Sequence, residues 1–295
     1  MNKSLLTLIG CFVLLATNSK AQHSLEIDLE KGTVFTIEQH SEQDILQDMD
    51  GVEHKMKNTI GGVYTFEVAD VINDTYAFDV SFDSFRFKIE SEIYGVLSDI
   101  NTEAVAEADT MEANIFQGLL NVKFQLYVSA TGKIDSLNGS EKLVDGMLAH
   151  AGIEDEAAKT FIREAMKDEF NDTSLRESLQ PITYMFPKKK VKIGGEWQNR
   201  YEGEVTLTNN WKLDAYSAST FTLQGTSTLV LDTTTEGLIM KLSGTQETVA
   251  IIETSTGFMK SIEVTQNASG NTIIPAQNNA EIPTSLVGTS TFKRI

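Results

Sequence analysis

The sequence is poor in cysteine, proline and positive charge. Of 295 residues one is Cys and four are Pro, and 24 Lys and Arg face 42 Asp and Glu, a net charge of −18. A lone Cys excludes an internal disulfide and any metal site built from several thiolates. The acidic balance argues against a nucleic-acid backbone as ligand, because such binders concentrate positive charge on one face. After residue 16 no apolar run approaches the roughly 20 residues that a membrane-spanning helix needs. No H-E-x-x-H, G-x-S-x-G, P-loop or G-x-G-x-x-G pattern occurs, which removes the commonest signatures of zinc, acyl-transfer and nucleotide chemistry. Gly61-Gly62 and Gly194-Gly195 lack the helix start that phosphate binding uses and read as turns before strands. Hydrophobic residues make up 41% and charged residues 22%, an ordinary globular composition.

The N-terminus carries an address. Met1-Asn2-Lys3-Ser4 is a short positive start, Leu5 to Ala16 is apolar, and Ser19-Lys20-Ala21 precedes Gln22 as a small-x-small cleavage signature. This pattern predicts a secretory signal peptide over 1–21 and a periplasmic or secreted protein. Leu8-Ile9-Gly10-Cys11 offers a rival, a lipobox with Cys11 as the lipidated first residue. The apolar run continues past Cys11 through Phe12-Val13-Leu14-Leu15, which favours the cut after Ala21. That cut removes Lys3, Lys20 and Cys11, leaving 22 bases against 42 acids and no thiol. Such a chain holds together by packing alone.

The mature chain reads as three segments. From 22 to 139 the period is two. Tyr64, Phe66 and Val68 alternate with polar residues, as do Tyr76, Phe78, Val80 and Phe82, then Phe85, Phe87 and Ile89, then Val122, Phe124, Leu126 and Val128. Alternation predicts antiparallel strands with one apolar face. Asn73-Asp74 and Ala130-Thr131-Gly132-Lys133 read as hairpin turns, and Ile93 to Ala113 as a loop or short helix. From 140 to 187 the period is 3.6. Leu143, Val144, Met147 and Leu148 form one stripe and Ala157, Ala158, Phe161, Ile162, Ala165 and Met166 a second, joined at Gly152. Ser174-Leu175-Arg176-Glu177 predicts a capped third helix stopping at Pro181. From 188 to 295 strands return, richer in Thr and Ser, with a turn at Ser255-Thr256-Gly257. Ser129 to Leu137 echoes Thr254 to Ile262 around a shared Thr-Gly turn. One domain of two pseudo-repeated β halves is expected. The fold class is α+β, predominantly antiparallel β, closing as a sandwich or an open barrel around a central helical insert.

Candidate chemistry is sparse. His23, His40, His54 and His150 share no metal-ligand spacing. Asp48-Met49-Asp50-Gly51 matches part of a calcium loop but lacks its remaining ligands, and reads as a turn. Asp79 and Asp83 lie four apart on one strand face, where paired carboxylates serve glycoside hydrolysis and single ones serve solvation. Lys188-Lys189-Lys190-x-Lys192 is the one basic cluster, a solvated linker or a dock for an anionic partner such as lipid A or an acidic polymer. Trp197 reads as a core anchor. No catalytic residue, metal ligand or cofactor is assigned from these patterns.

Taken in order, several of these stretches resemble one family. Leu29-Glu30-Lys31-Gly32-Thr33-Val34-Phe35 is similar to an opening L-x-K-G-x-x-Y/F strand. Pro187-x-x-x-Val191-Lys192-Ile193-Gly194-Gly195-Glu196-Trp197 is similar to P-x-x-x-V-K-V-G-D-S-W. Leu242-Ser243-Gly244-Thr245-Gln246 and Thr256-Gly257-Phe258 resemble its late L-S-G-T-Q and T-G-W strands, and Leu143 to Phe170 its central helices. The chain thus resembles domain-of-unknown-function family 6263, exported proteins of Bacteroidota-type bacteria. Gly195-Glu196 replaces the acidic-Ser pair and Phe258 the Trp. The resemblance implies architecture and an exported address, and no activity. Three functions are expected candidates. The first is a non-catalytic envelope protein holding an apolar ligand such as a lipid in a sheet-helix groove near Met147, Met166 and Met185. The second is a structural or protein-interaction component of the envelope, bound through a strand edge or the Thr-rich half. The third is a carboxylate hydrolase.

Overall fold

A computed structural model describes residues 21–49, 51–104, 111–167, 170–235 and 237–295. The leader reading over 1–21 falls almost wholly outside the described residues, as does Asp50 of the partial calcium loop. The chain is mostly antiparallel β, with 59% in strands and 15% in helix. The first half supplies β1 (Val34–Met49), β2 (Val52–Ile72), β3 (Thr75–Ser91), β4 (Gly95–Asn101), β5 (Phe124–Ser129) and β6 (Ile134–Asn138), with α1 (Met111–Gln117) after β4. Three helices follow, α2 (Glu141–His150), α3 (Glu156–Met166) and α4 (Asp172–Thr183). The second half supplies β7 (Glu196–Tyr201), β8 (Val205–Tyr216), β9 (Thr220–Thr235), β10 (Leu238–Glu253), β11 (Met259–Ile274) and β12 (Ala280–Arg294).

All twelve strands form one sheet in the order β6-β5-β3-β2-β1-β12-β11-β10-β9-β8-β7, with β4 on the lower part of β3. Each half is a meander, and β1 pairs with β12 from Ile37↔Arg294 to Gln47↔Thr284. The halves therefore join edge to edge. Of the expected sandwich or open barrel, the described strands form one large open sheet, with no separate second sheet. The sheet is open, ending in β6 and β7. The helices carry the chain from one edge to the other, and α4 lies at both. Gln180 accepts from the Ile134 N–H and donates to Gly132 O beside β6. Beside β7, Tyr184 O accepts from Asn199 and the Tyr201 hydroxyl, and Met185 O accepts from the Trp197 indole. Side-chain bonds of this kind protect edges that would otherwise invite another strand.

The patterning explains most of these elements. Asn73 and Asp74 take φ of 48° and 62°, the left-handed pair that a tight hairpin between twisted strands requires. The apolar phase of β3 slips between Phe82 and Phe85 because a bulge opposite Val63/Tyr64 inserts one residue there. Three boundaries differ from expectation. Ile93–Ala113 contains β4, whose alternation is masked by a register shift at Ile89/Glu90 and by its edge position; 105–110 lie outside the described residues. α4 starts earlier than the Ser174 motif, because Asn171 caps it by accepting from Thr173 N and Ser174 N. It also runs on through Pro181 to Thr183, although proline lacks the N–H that would bond the carbonyl four residues back. Finally, the stripe on α3 is not a core stripe. Phe161 is 75% exposed and no α3 residue is buried, though Ile162 and Met166 touch the core.

The main core sits at the end of the sheet that carries the β2–β3, β5–β6 and β10–β11 turns. Phe35, Phe66, Phe78 and Phe258 pack together, Phe258 stacking on Phe35 at 4.1 Å. Leu143 and Met147 of α2 and Leu175, Leu179 and Ile182 of α4 fill the space above them. The segment Leu25–Leu29 completes the plug and bolts the two halves together. Ile27 N donates to Ala130 O in one echoing turn, and Asp28 N donates to Thr256 O in the other. Both turns need glycine. Gly132 (φ 84°) and Gly257 (φ 61°) would each place a Cβ 1.8 Å from a carbonyl, Thr183 O and Glu26 O respectively.

Candidate functional site

The inner face of the sheet, the one bearing the core, divides into bands. Strand register defines them. The upper band is the plugged core. Below it one row crosses eight strands: Asn199, Asn209, Ser227, Gln246, Gln266, Gly288, Gln43 and Asn58. Seven of these eight positions carry an amide or hydroxyl where the alternation calls for an apolar residue. The next row down is Tyr201, Leu207, Leu229, Gly244, Ala268, Leu286, Ile45 and Met56. Tyr201, Leu207, Leu229, Leu242 and Ala268 form a second buried cluster, separate from the main core, with Tyr184, Leu231, Met240 and Leu286 against it.

The polar row is unequal along its length. On β7–β9 it is satisfied. Asn209 Nδ2 donates to Asn199 Oδ1 at 2.8 Å, the Ser227 hydroxyl donates to Asn209 Oδ1 at 2.5 Å, and the Trp211 indole donates to Asn199 Oδ1 at 3.0 Å. Gln246 donates to Thr248 at 3.2 Å. A closed network of this kind locks strand register. Toward the centre of the sheet, half-buried Gln266, Gln43 and Asn58 make no side-chain hydrogen bond to other described residues. They sit directly above the apolar stretch Ala268, Leu286, Ile45 and Met56. Below that stretch apolar exposure rises toward the rim. Along β10 it goes from 1% at Leu242 to 42% at Leu238, and along β1 from 7% at Ile45 to 39% at Met49. Free amides above an apolar row, with Leu242, Gly270, Thr284, Gln47 and His54 in the row below it, can bind a polar head and an apolar tail together.

Two phenols near the bands hold their protons strongly. Burial raises the pKa of Tyr64 and Tyr201 well above the usual tyrosine value. Each hydroxyl is committed as a donor, Tyr64 to Gln39 Oε1 at 2.7 Å and Tyr201 to Tyr184 O at 2.6 Å. At the upper end, two bonds from the Arg294 guanidinium, at 3.0 and 3.1 Å, hold the Glu253 carboxyl below the usual carboxylate range.

The residues singled out by sequence do not converge. Asp79 Oδ1 accepts from Gln125 and Asp83 Oδ2 from Thr65, each held by its own neighbour on the outer face. Asp48 Oδ1 accepts from Gly51 N within the hairpin turn. His40 lies 3.6 Å from Glu42, His23 stacks on Tyr216 at 3.6 Å, and His150 ends α2. No group of three or more His, Cys, Asp or Glu with metal-binding geometry occurs among the described residues. Met147 and Met185 are fully buried core side chains and Met166 packs against the core. They do not line a groove, because α2, α4 and Leu25–Leu29 fill the space between sheet and helices. Two surface depressions lie elsewhere. One of about 430 Å³ runs along the lower outer face by Leu46, Asp48 and Ser285, and one of about 270 Å³ lies by Asp28, Thr33 and Thr256. The polar row escaped sequence reasoning, although Asn209 between Leu207 and Trp211 broke the apolar phase in plain view.

These features define an open, coiled antiparallel sheet plugged at one end by helices, with a partly polar inner face. The particular kinship follows from the family comparison. Residues 73–259 match the family of unknown function DUF6263, and the chain belongs to that family. The Leu29–Phe35 stretch precedes the matched residues. No curated protein matches the chain. Among solved structures, the translocator domain of the autotransporter NalP from Neisseria meningitidis is similar at 10% identity and a TM-score of 0.24, over 91% of each chain. Salmonella typhi OmpF in complex with daunomycin is similar at 7% identity and a TM-score of 0.24, over 90% of this chain and 99% of that one. In this chain the two edge strands do not pair. No described helix is long and apolar enough to cross a membrane.

Proposed function

We propose that the protein is exported and non-catalytic, and that it binds an amphiphile, such as a single-chain lipid, on the lower inner face of its sheet. The supporting observation is the juxtaposition of the free amides Gln43, Asn58 and Gln266 with the apolar row Ala268, Leu286, Ile45 and Met56. The polar head takes the amide hydrogen bonds and the tail runs toward the rim at Met49 and Leu238. This moves the ligand from the expected sheet-helix groove, which is full, to the opposite end of the strands. Native mass spectrometry of the protein purified from its export compartment tests the reading. The expected result is a bound amphiphile that is lost in Met56→Gln/Leu286→Gln while the fold is retained. Absence of any adduct, together with no displaceable binding of a fluorescent fatty acid, overturns it.

A second reading, a protein-interaction component of the envelope, is favoured by the β3–β4 hairpin. Ile93, Tyr94, Val96 and Leu97 are all more than half exposed there, Tyr94 at 76%, and clustered exposed apolar side chains mark contact sites. Crosslinking from position 94 is expected to capture one envelope protein in stoichiometric yield, and a null result removes this reading.

A further inference from the structure

Charge is divided between the two faces of the lower sheet. Below the row containing Ala268 and Met56, the next inner row holds Leu231, Leu242, Thr284, Gln47 and His54, and the one after it Thr233, Met240, Thr272 and Ile282. From the polar row down, none of the positions in these rows is Asp, Glu, Lys or Arg. The alternating positions of the same strands, on the outer face, carry charges paired across strands: Lys55 with Asp44, Lys57 with Glu42, and Lys241 with Asp232. The exposed Lys188, Lys189, Lys190 and Lys192 lie on the strap between α4 and β7, outside these rows. The titratable groups within the rows are Tyr201, whose hydroxyl donates to Tyr184 O, and His54. Polar groups under the apolar row bond among themselves. Gln47 donates to Thr272 at 3.2 Å, and the Thr272 and Thr284 hydroxyls share a bond of 2.9 Å. The amides of Gln43, Asn58 and Gln266 are left as the open hydrogen-bonding groups of the polar row.

From this partition we infer that the amphiphile bound on the inner face has an uncharged, hydroxyl- or ester-bearing head, as in a monoacylglycerol, and that the face rejects ionised heads of either sign. The inference rests on the amphiphile reading above and names the ligand class of that same site. Each amide offers two N–H donors and a carbonyl acceptor, which match hydroxyl and ester groups without any net charge. An ionised carboxylate or ammonium placed there loses hydration and meets no counter-charge. Burying an unpaired charge costs far more than burying a hydrogen-bonded neutral group. A fatty acid enters by taking up a proton, as the neutral acid. The acidic surplus of the chain is a different effect, since it repels anions and attracts cations, whereas an uncharged face disfavours both.

The test is isothermal titration calorimetry at pH 8, where a free carboxylic acid is ionised. Its probes, below their micellar concentrations, are 1-monodecanoylglycerol, decanoate and decyltrimethylammonium, which share a ten-carbon chain and differ in head charge. The neutral probe is expected to bind at least about tenfold more tightly than either ion, the ratio that a shift of one pKa unit in the ligand represents. Its binding is expected to be lost in Met56→Gln/Leu286→Gln. Gln43→Lys places a cation in the polar row and is expected to bind decanoate more tightly than the parent does. Gln266→Lys repeats the test on another strand, and circular dichroism confirms that the variants fold. If either ion binds the parent within tenfold of the neutral probe, or if neither folded lysine variant gains affinity for decanoate, the inference is overturned and the amphiphile reading stands. If none of the three probes binds, the amphiphile reading falls and the inference with it.

Discussion

The upper and lower halves of the inner face are built from the same strands and differ in what covers them. In the upper half the inward side chains of both halves of the chain form one buried cluster with α2, α4 and the Leu25–Leu29 segment. In the lower half Tyr184 is the one residue from outside the strands packed on the second cluster, and apolar burial fades toward the rim. The polar row marks the boundary. The contrast teaches that a long sheet can store its stability at one end and leave the other for contact. Full burial of a Leu, Ile or Phe side chain contributes roughly 1.5–3 kcal/mol, so the plugged half supplies most of the folding free energy.

Breaking the upper half gives the largest expected effects. Phe258→Ala removes the ring stacked on Phe35 and is expected to cost about 3–5 kcal/mol, measured by urea unfolding. A matched pair sharpens the comparison. Met147→Ala, in the fully buried position, is expected to cost about 2–5 kcal/mol, and Met240→Ala, in the half-buried lower band, about 1 kcal/mol. Equal losses would mean that the lower band is as firmly packed as the upper.

At the boundary, Asn209→Ala leaves the Ser227 hydroxyl without its acceptor and Asn199 Oδ1 with one donor fewer. About 1–3 kcal/mol is expected, read in the same unfolding assay. The smallest effect concerns Arg294 and Glu253. The folded-state pKa of Glu253 lies below its unfolded value, so the pair stabilises the fold above the ordinary carboxylate pKa of about 4.3. That stability is lost as pH falls through the depressed folded value. Arg294→Gln is expected to cost about 1 kcal/mol at pH 7, with parent and variant converging below pH of about 4. A constant gap from pH 7 to pH 3 would show that Arg294 acts through its packing on Phe35.

Much of the upper half was legible in sequence. The alternation of Tyr76, Phe78, Val80 and Phe82 named the buried face of β3, and Leu143 and Met147 named that of α2. The Phe82-to-Phe85 phase slip recorded the bulge. The lower half was hardly legible, because its site is formed by polar residues in apolar phase. Gln266 lies more than 200 residues from Gln43 and Asn58, and only strand register puts the three in one row. The α3 stripe misled because periodicity reports that a face is apolar, not that a partner covers it.

Local chemistry settled the strands, the helices and the tight turns, since side-chain alternation, capping and left-handed backbone positions act over a few residues. Tertiary contact settled the rest. Whether the halves stacked or joined edge to edge depended on β1 meeting β12 across more than 200 residues, and which end of the sheet was filled depended on where the helices and Leu25–Leu29 came to rest. Such pairings between distant segments turn on competition for the same edges and the same apolar surface, and no short stretch of the chain encodes them alone.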